Sequence, residues 1–192
     1  MHGASKRLTA ANVANVTGAA VLALGDAIRE VTTAGERDAT ATAALVHLAK
    51  YPGETVDALR GPLALSHSGC VRLIDRLAAS GEVERRPGAE DRRSLAIHLT
   101  RKGKKAAQQA LAARAEVLVS ALSVLTEAEQ ETLGRLAAKV LAGRVGSIPV
   151  ALRVCRLCDY EACVECPVAA KLTAQSDPGH VYPALAGSKA TK

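Results

Sequence analysis

The chain of 192 residues contains no Phe, no Trp, three Tyr and one Met. A core without large rings has to be filled by small and aliphatic side chains, and Ala, Leu and Val supply most of the 48% of residues that are apolar. Strands draw on aromatic and β-branched residues, whereas Ala and Leu favour helices, so a mainly α protein is expected. No unbroken run of about 18 apolar residues is present, so no membrane span is expected. The opening Met1-His2-Gly3-Ala4-Ser5-Lys6-Arg7 lacks the pattern of a cleaved leader, and a cytoplasmic location is expected. A Gly-rich nucleotide loop and a Ser/His/Asp spacing are also missing, which argues against an enzyme.

Charge is present but unevenly placed. The net formal charge is +6, and the stretch from Arg60 to Lys105 holds eleven Lys and Arg against five Asp and Glu, a difference of +6. One segment therefore carries the whole excess. Polyanion binding requires such a concentration, because each neutralised phosphate releases counterions.

Apolar spacing of three and four residues at Val13, Val16, Ala20, Leu24, Ala27, Ile28 and Val31 predicts a first helix. Ala41, Ala44, Leu45, Leu48 and Ala49 predict a second, ended by Tyr51-Pro52-Gly53. Thr55 caps a short third helix over Val56–Arg60, interrupted at Gly61-Pro62. Ser66 caps a fourth helix running to about Ser80, with Cys70, Val71, Ile74, Leu77 and Ala78 inward and Gly81 as its left-handed stop. Val83–Arg86 and Leu95–Leu99 then read as two strands around a charged turn at Pro87–Ser94. A long helix begins at Thr100, with Leu111, Leu118, Leu122 and Leu125 as its stripe. A last helix, with a capping box at Thr126 and Glu129, runs to Gly143 along Leu133, Leu136, Ala137, Val140 and Leu141.

That order predicts a winged helix-turn-helix with a two-stranded wing hairpin. A helix that enters the major groove needs small or hydrogen-bonding residues at its leading end. Ser66, His67, Ser68 and Gly69 meet that need, and Arg72 and Arg76 follow at one-turn intervals. Arg92 and Arg93 at the hairpin tip suit the negative potential of a minor groove. Arg85 and Arg86 serve equally well as solvated strand residues, and Asp91 as a turn former.

The stretch Leu65-Ser66-His67-Ser68-Gly69-Cys70-Val71-Arg72-Leu73-Ile74-Asp75-Arg76-Leu77 resembles the recognition helix of the MarR (multiple-antibiotic-resistance regulator) family. Gly81-Glu82-Val83-Glu84-Arg85 resembles the start of that family's wing, Asp91-Arg92-Arg93 its wing signature, and Leu99-Thr100-Arg101-Lys102-Gly103 the start of its fifth helix. The resemblance covers residues 13–143. It implies that Asp91 braces Arg93 for DNA contact and that the first, fifth and sixth helices interlock two subunits. It implies a homodimer on a pseudo-palindromic double-stranded operator with half-sites about one DNA turn apart, and a small-molecule effector as a further partner.

Five cysteines are present, and Cys155, Cys158, Cys163 and Cys166 form C-x2-C-x4-C-x2-C. Four thiolates this close suit a tetrahedral Zn²⁺ or an iron–sulfur cluster, the latter matched by Pro167 after the last cysteine. Disulfides and unbound thiols are the alternatives, less suited to a cytosolic chain. Cys70 sits on the inner face of the recognition helix as a small apolar residue. The expected organisation is a flexible 1–12, a winged-helix and dimerisation domain at 13–143, a linker and metal segment at 144–170, and a flexible tail at 171–192. The expected function is a DNA-binding transcriptional regulator, a repressor that answers a ligand, metal or redox signal. A winged-helix protein–protein module with a structural zinc is the alternative.

Overall fold

The computed structural model describes residues 8–33, 37–88, 95–163 and 166–173. Helix α1 spans Ala10–Thr32. It starts three residues before the expected Val13 because Thr9 caps it, accepting the backbone N–H of Asn12 at 3.2 Å. The expected flexible segment 1–12 is thus helical from Ala10. By length and composition α1 is apolar enough to cross a membrane, although Asn12, Asn15, Thr17 and Gly18 interrupt its apolar residues. Its half-buried residues Leu24, Ala27 and Ile28 lie on a helix that packs against α5 (Arg101–Leu122). Gly35, the expected stop, lies outside the described residues. The chain instead leaves the helix at Thr33.

Helix α2 (Ala39–Lys50) is the centre of the molecule. Asp38 caps it, accepting from the Ala41 N–H at 2.8 Å, and every residue from Ala41 to Leu48 is buried. Ala49, expected inside, is exposed, because α2 ends at Lys50 as its last turn meets solvent. Burial on all sides forces its polar side chains to find partners. Thr42 donates to the Thr32 carbonyl at 2.8 Å, tying α2 to the end of α1. His47 sets Nε2 2.8 Å from Glu54 Oε2.

Helix α3 runs Val56–Leu63 and passes through Gly61-Pro62 rather than stopping there. In a helix of two turns a proline near the end costs little ladder bonding. The actual stop is Ala64, in the left-handed region at φ 53°. Helix α4 (His67–Ala79) buries Cys70, Leu73, Ile74 and Leu77. Val71 and Ala78, expected inside, are half-buried at its margin, and Leu73 takes the inner place. Gly81, at φ +71°, ends the segment as expected.

Strands β1 (Val83–Pro87) and β2 (Leu95–Leu99) pair antiparallel from Val83 opposite Leu99 to Pro87 opposite Leu95. Pro87 thus belongs to the strand, not the turn. Ile97 also exchanges backbone bonds with the turn before α3, accepting from Gly53 N–H and donating to the Glu54 carbonyl, each at 2.9 Å.

On α5 the fully buried residues are Gly103, Ala106, Ala107 and Ala110, not the leucines of the expected stripe, which are only half-buried. Small side chains let α5 approach α1 and α2 closely. Helix α6 (Glu127–Arg144) has the expected capping box but continues one residue past Gly143 and has no fully buried residue, Ala138 and Ala142 being half-buried. The expected linker contains another helix, α7 (Ile148–Val154), and α8 (Pro167–Thr173) extends past the expected tail boundary, with Leu172 buried. The main core unites α2, α3, α4, the hairpin and the first turns of α5. A second, smaller core gathers Val145, Ala151, Cys155, Val168 and Leu172.

Candidate nucleic-acid interface

The outer face of α4 is assembled from its cap onward. Ser66 Oγ accepts the Gly69 N–H at 3.1 Å and lies 3.3 Å from Ser68 Oγ. Ser66, His67 and Ser68 are exposed, Gly69 is half-buried, and Arg72, Asp75 and Arg76 are exposed in the turns that follow. The opposite face is anchored by Cys70 and Ile74, both with no solvent exposure. One helix thus carries a polar, cationic surface on a rigid apolar footing.

Carboxylates that the sequence did not single out position this surface. Asp57 on α3 holds His67 Nδ1 at 3.0 Å and accepts from Arg60 at 3.2 Å. The hydrogen bond from His67, then that from Arg60, keeps the Asp57 carboxyl below its ordinary range. Asp38 takes Arg76 at 3.0 Å. Burial pushes the Asp38 carboxyl up, but the Ala41 N–H and the Arg76 guanidinium together hold it below the usual value. Asp75 takes Arg85 of β1 at 2.5 Å, so the wing is pinned to α4, and Arg86 turns to Glu84 on its own strand. Exposed ion pairs of this kind are worth about 0–1 kcal/mol, so phosphate can compete for the arginines. The i,i+3 spacing of Asp57 and Arg60 was visible in the sequence. The pairing of Asp57 with His67, ten residues away, depends on the angle at which α3 meets α4.

Asp91, Arg92 and Arg93 lie outside the described residues, so the wing tip is known only through the strands that lead to it. Cys70, inside α4, donates its thiol to the Val56 carbonyl at 3.4 Å, and burial pushes the thiol pKa up. It ties α4 to α3 as a packed group.

The four C-terminal cysteines form two neighbouring pairs. Cys155 and Cys158 interact at the end of α7, and Cys163 interacts with Cys166 ahead of α8. The hydrogen bond from Cys155, aided by Arg114 and Arg156 against the cost of burial, lowers Cys158 to about 7. The same bond, with burial, drives Cys155 upward. The pair therefore loses its first proton readily and its second with difficulty. Burial, then the charge of Cys166, raises Cys163 to about 11. Among the described residues no three His, Cys, Asp or Glu side chains converge on one point as they stand.

Solved structures share this arrangement of helices and hairpin. RV1404 from Mycobacterium tuberculosis aligns with 73% of this chain and 99% of its own length, at 22% identity and a TM-score of 0.63. A MarR family transcription regulator covers 67% of this chain and 85% of its own, at 20% identity and 0.57. Wild-type MarR from E. coli covers 71% and 99%, at 23% identity and 0.54. The fold is that of MarR. No protein-family model and no curated protein sequence matches the chain.

Proposed function

We propose that this chain is a sequence-specific, double-stranded DNA-binding transcription regulator that works in the cytoplasm as a homodimeric repressor. The observation that carries the reading is the leading turn of α4: Ser66, His67 and Ser68 exposed, Arg72 following, and His67 braced by Asp57. Such a turn matches the donors and acceptors of base edges in the major groove, while arginines meet the phosphates on either side. The +6 excess in the segment that holds α4 and the wing supports it further. Arg92 and Arg93, with Asp91 as brace, are assigned to the adjacent minor groove by the MarR resemblance.

A second copy of this chain is the proposed occupant of the apolar faces of α1 and α6. Val16, Val21 and Leu22 on α1, and Leu133, Leu136 and Val140 on α6, are exposed. A helix of 18 residues with no fully buried side chain is marginal in water, because packing of an apolar face supplies most helix stability. Two-fold pairing would cover both faces at once and set two α4 helices on one side of a duplex, facing a pseudo-palindrome.

The test is selection of bound duplexes from a random pool, then anisotropy titration of the selected duplex at several salt concentrations. A linear fall of log affinity with log salt, and a selected sequence with two-fold symmetry, is expected. Failure to enrich any duplex would leave the protein–protein module as the better reading.

A further inference from the structure

The C-terminal unit is short of what a fold needs. Its interior consists of Val145, Ala151, Cys155, Val168 and Leu172, with Cys158, Tyr160 and Cys166 packed around them. A core this small does not offset the conformational entropy of roughly thirty residues, and natural units of that size are closed by a metal or by disulfides. Between α7 and α8 the described residues form turns and no helix or strand. Yet the unit is not a loose tail. Leu157, between the first two cysteines, packs against the main core.

The gap between the cysteine pairs is folded back on itself. Asp159 Oδ1 accepts the backbone N–H groups of Glu161 at 3.0 Å and Ala162 at 3.4 Å, which turns the chain between the two cysteine pairs. On the far side Cys166 Sγ accepts the Ala169 N–H at 3.4 Å, the kind of bond that stabilises a thiolate. Arg114 and Arg156 lie close enough to Cys158 to offset negative sulfur. Three features thus coincide at one place: ligand spacing, a folded-back gap and compensating cations.

The same turn touches the DNA-binding half. The ring of Tyr160, in the gap, meets Tyr51 edge-on at 5.8 Å, and Lys50 lies 5.4 Å from the Tyr160 ring centre. Tyr51 in turn meets His47 at 4.7 Å, and His47 is bonded to Glu54. Glu54 pairs with Ile97 at the base of the wing, and α7 packs on α3. A contiguous path of rings and hydrogen bonds therefore runs from the cysteines to the elements that carry α4.

We propose that Cys155, Cys158, Cys163 and Cys166 close around one thiophilic metal centre, and that the loaded centre holds Tyr160 against Tyr51 and so sets the position of α3 and the wing base. Closure needs side-chain rotations that bring the second pair onto the first. Metal entry replaces the thiol protons, which pass to the solvent, and involves no change of oxidation state in the cysteines. A single Zn²⁺ and an iron–sulfur cluster share this four-thiolate chemistry. The metal site stands apart from the DNA-binding reading. The consequence for DNA affinity rests on that reading.

The test uses the full chain purified without oxygen from cells grown with zinc and iron. Metal and sulfide analysis should find about one Zn²⁺ per colourless chain, or iron and sulfide with visible absorption. Either result supports the four-thiolate centre and names its metal. Less than a tenth of an equivalent of any metal, or two disulfides by mass spectrometry, would overturn it. C158S/C163S should lose the metal. Since that variant risks unfolding, the intact protein is also stripped with a chelator and reloaded. Amide exchange in α3 and at Ile97 should quicken at least tenfold on stripping and recover on reloading. Unchanged exchange would overturn the coupling while leaving both the metal site and the DNA-binding reading untouched.

Discussion

Gly103 lies directly against the backbone carbonyl of Glu82, where the methyl group of an alanine would overlap the oxygen. That oxygen already accepts the Thr100 N–H at 3.0 Å and the Thr100 hydroxyl at 3.2 Å. The start of α5 is thus locked to the turn between α4 and β1, and the lock admits only glycine. Gly103→Ala should destabilise the protein by about 1–3 kcal/mol, the usual range for an overpacked site, seen as a lower midpoint in urea. An unchanged midpoint would mean that α5 does not approach Glu82 this closely.

Arg72 projects from the exposed face of α4 one turn after the leading residues. Arg72→Ala should weaken duplex binding about tenfold or more and lower the slope of log affinity against log salt by about one, if the contact is to phosphate. Circular dichroism of the variant should match the parent. Equal affinity and slope in parent and variant would remove α4 from the interface.

Asp57 and His67 form a contact that titrates. The Asp57 carboxyl is held low by His67 and Arg60, so its contribution to stability is present above the unfolded value near pH 4 and fades as pH falls through the lower folded value. Carboxyl NMR should give Asp57 a midpoint below the ordinary one, and His67→Ala should move that midpoint up. If the substitution left it in place, the bracing of the α4 leading turn by α3 would be wrong.

Leu136 is 57% exposed at the middle of α6. Leu136→Asp should convert a dimer in sedimentation velocity to a monomer and weaken operator binding in parallel. A parent protein that sediments as a monomer but floats with lipid vesicles would instead assign the apolar face of α1 to a membrane.

Much of the local structure was readable from residue order. Thr55, Ser66, Thr100 and Thr126 each cap the helix that follows them, because a hydroxyl three residues before an unpaired N–H acts within a single turn. Gly81 likewise takes the positive φ expected of a helix stop. The stop expected at Gly61-Pro62 did not occur, because the continuation of α3 depends on its packing against α4 and α7. Part of the linker expected after Gly143 became α7 for a similar reason. Seven residues would not hold a helix alone, but Ala151 is buried in the second core.

The sequence by itself determined the helical composition, the caps, the hairpin, the polar leading turn of α4 and the spacing of four cysteines, since each is set by neighbours within a few residues. Only the tertiary structure decided that the apolar residues of the first half of α1 and those of α6 face outward, that Asp57 reaches His67, and that Tyr160 docks on Tyr51. Periodicity reveals that a helix has an apolar face but not what covers it, because the covering partner is chosen by packing between residues far apart in the chain.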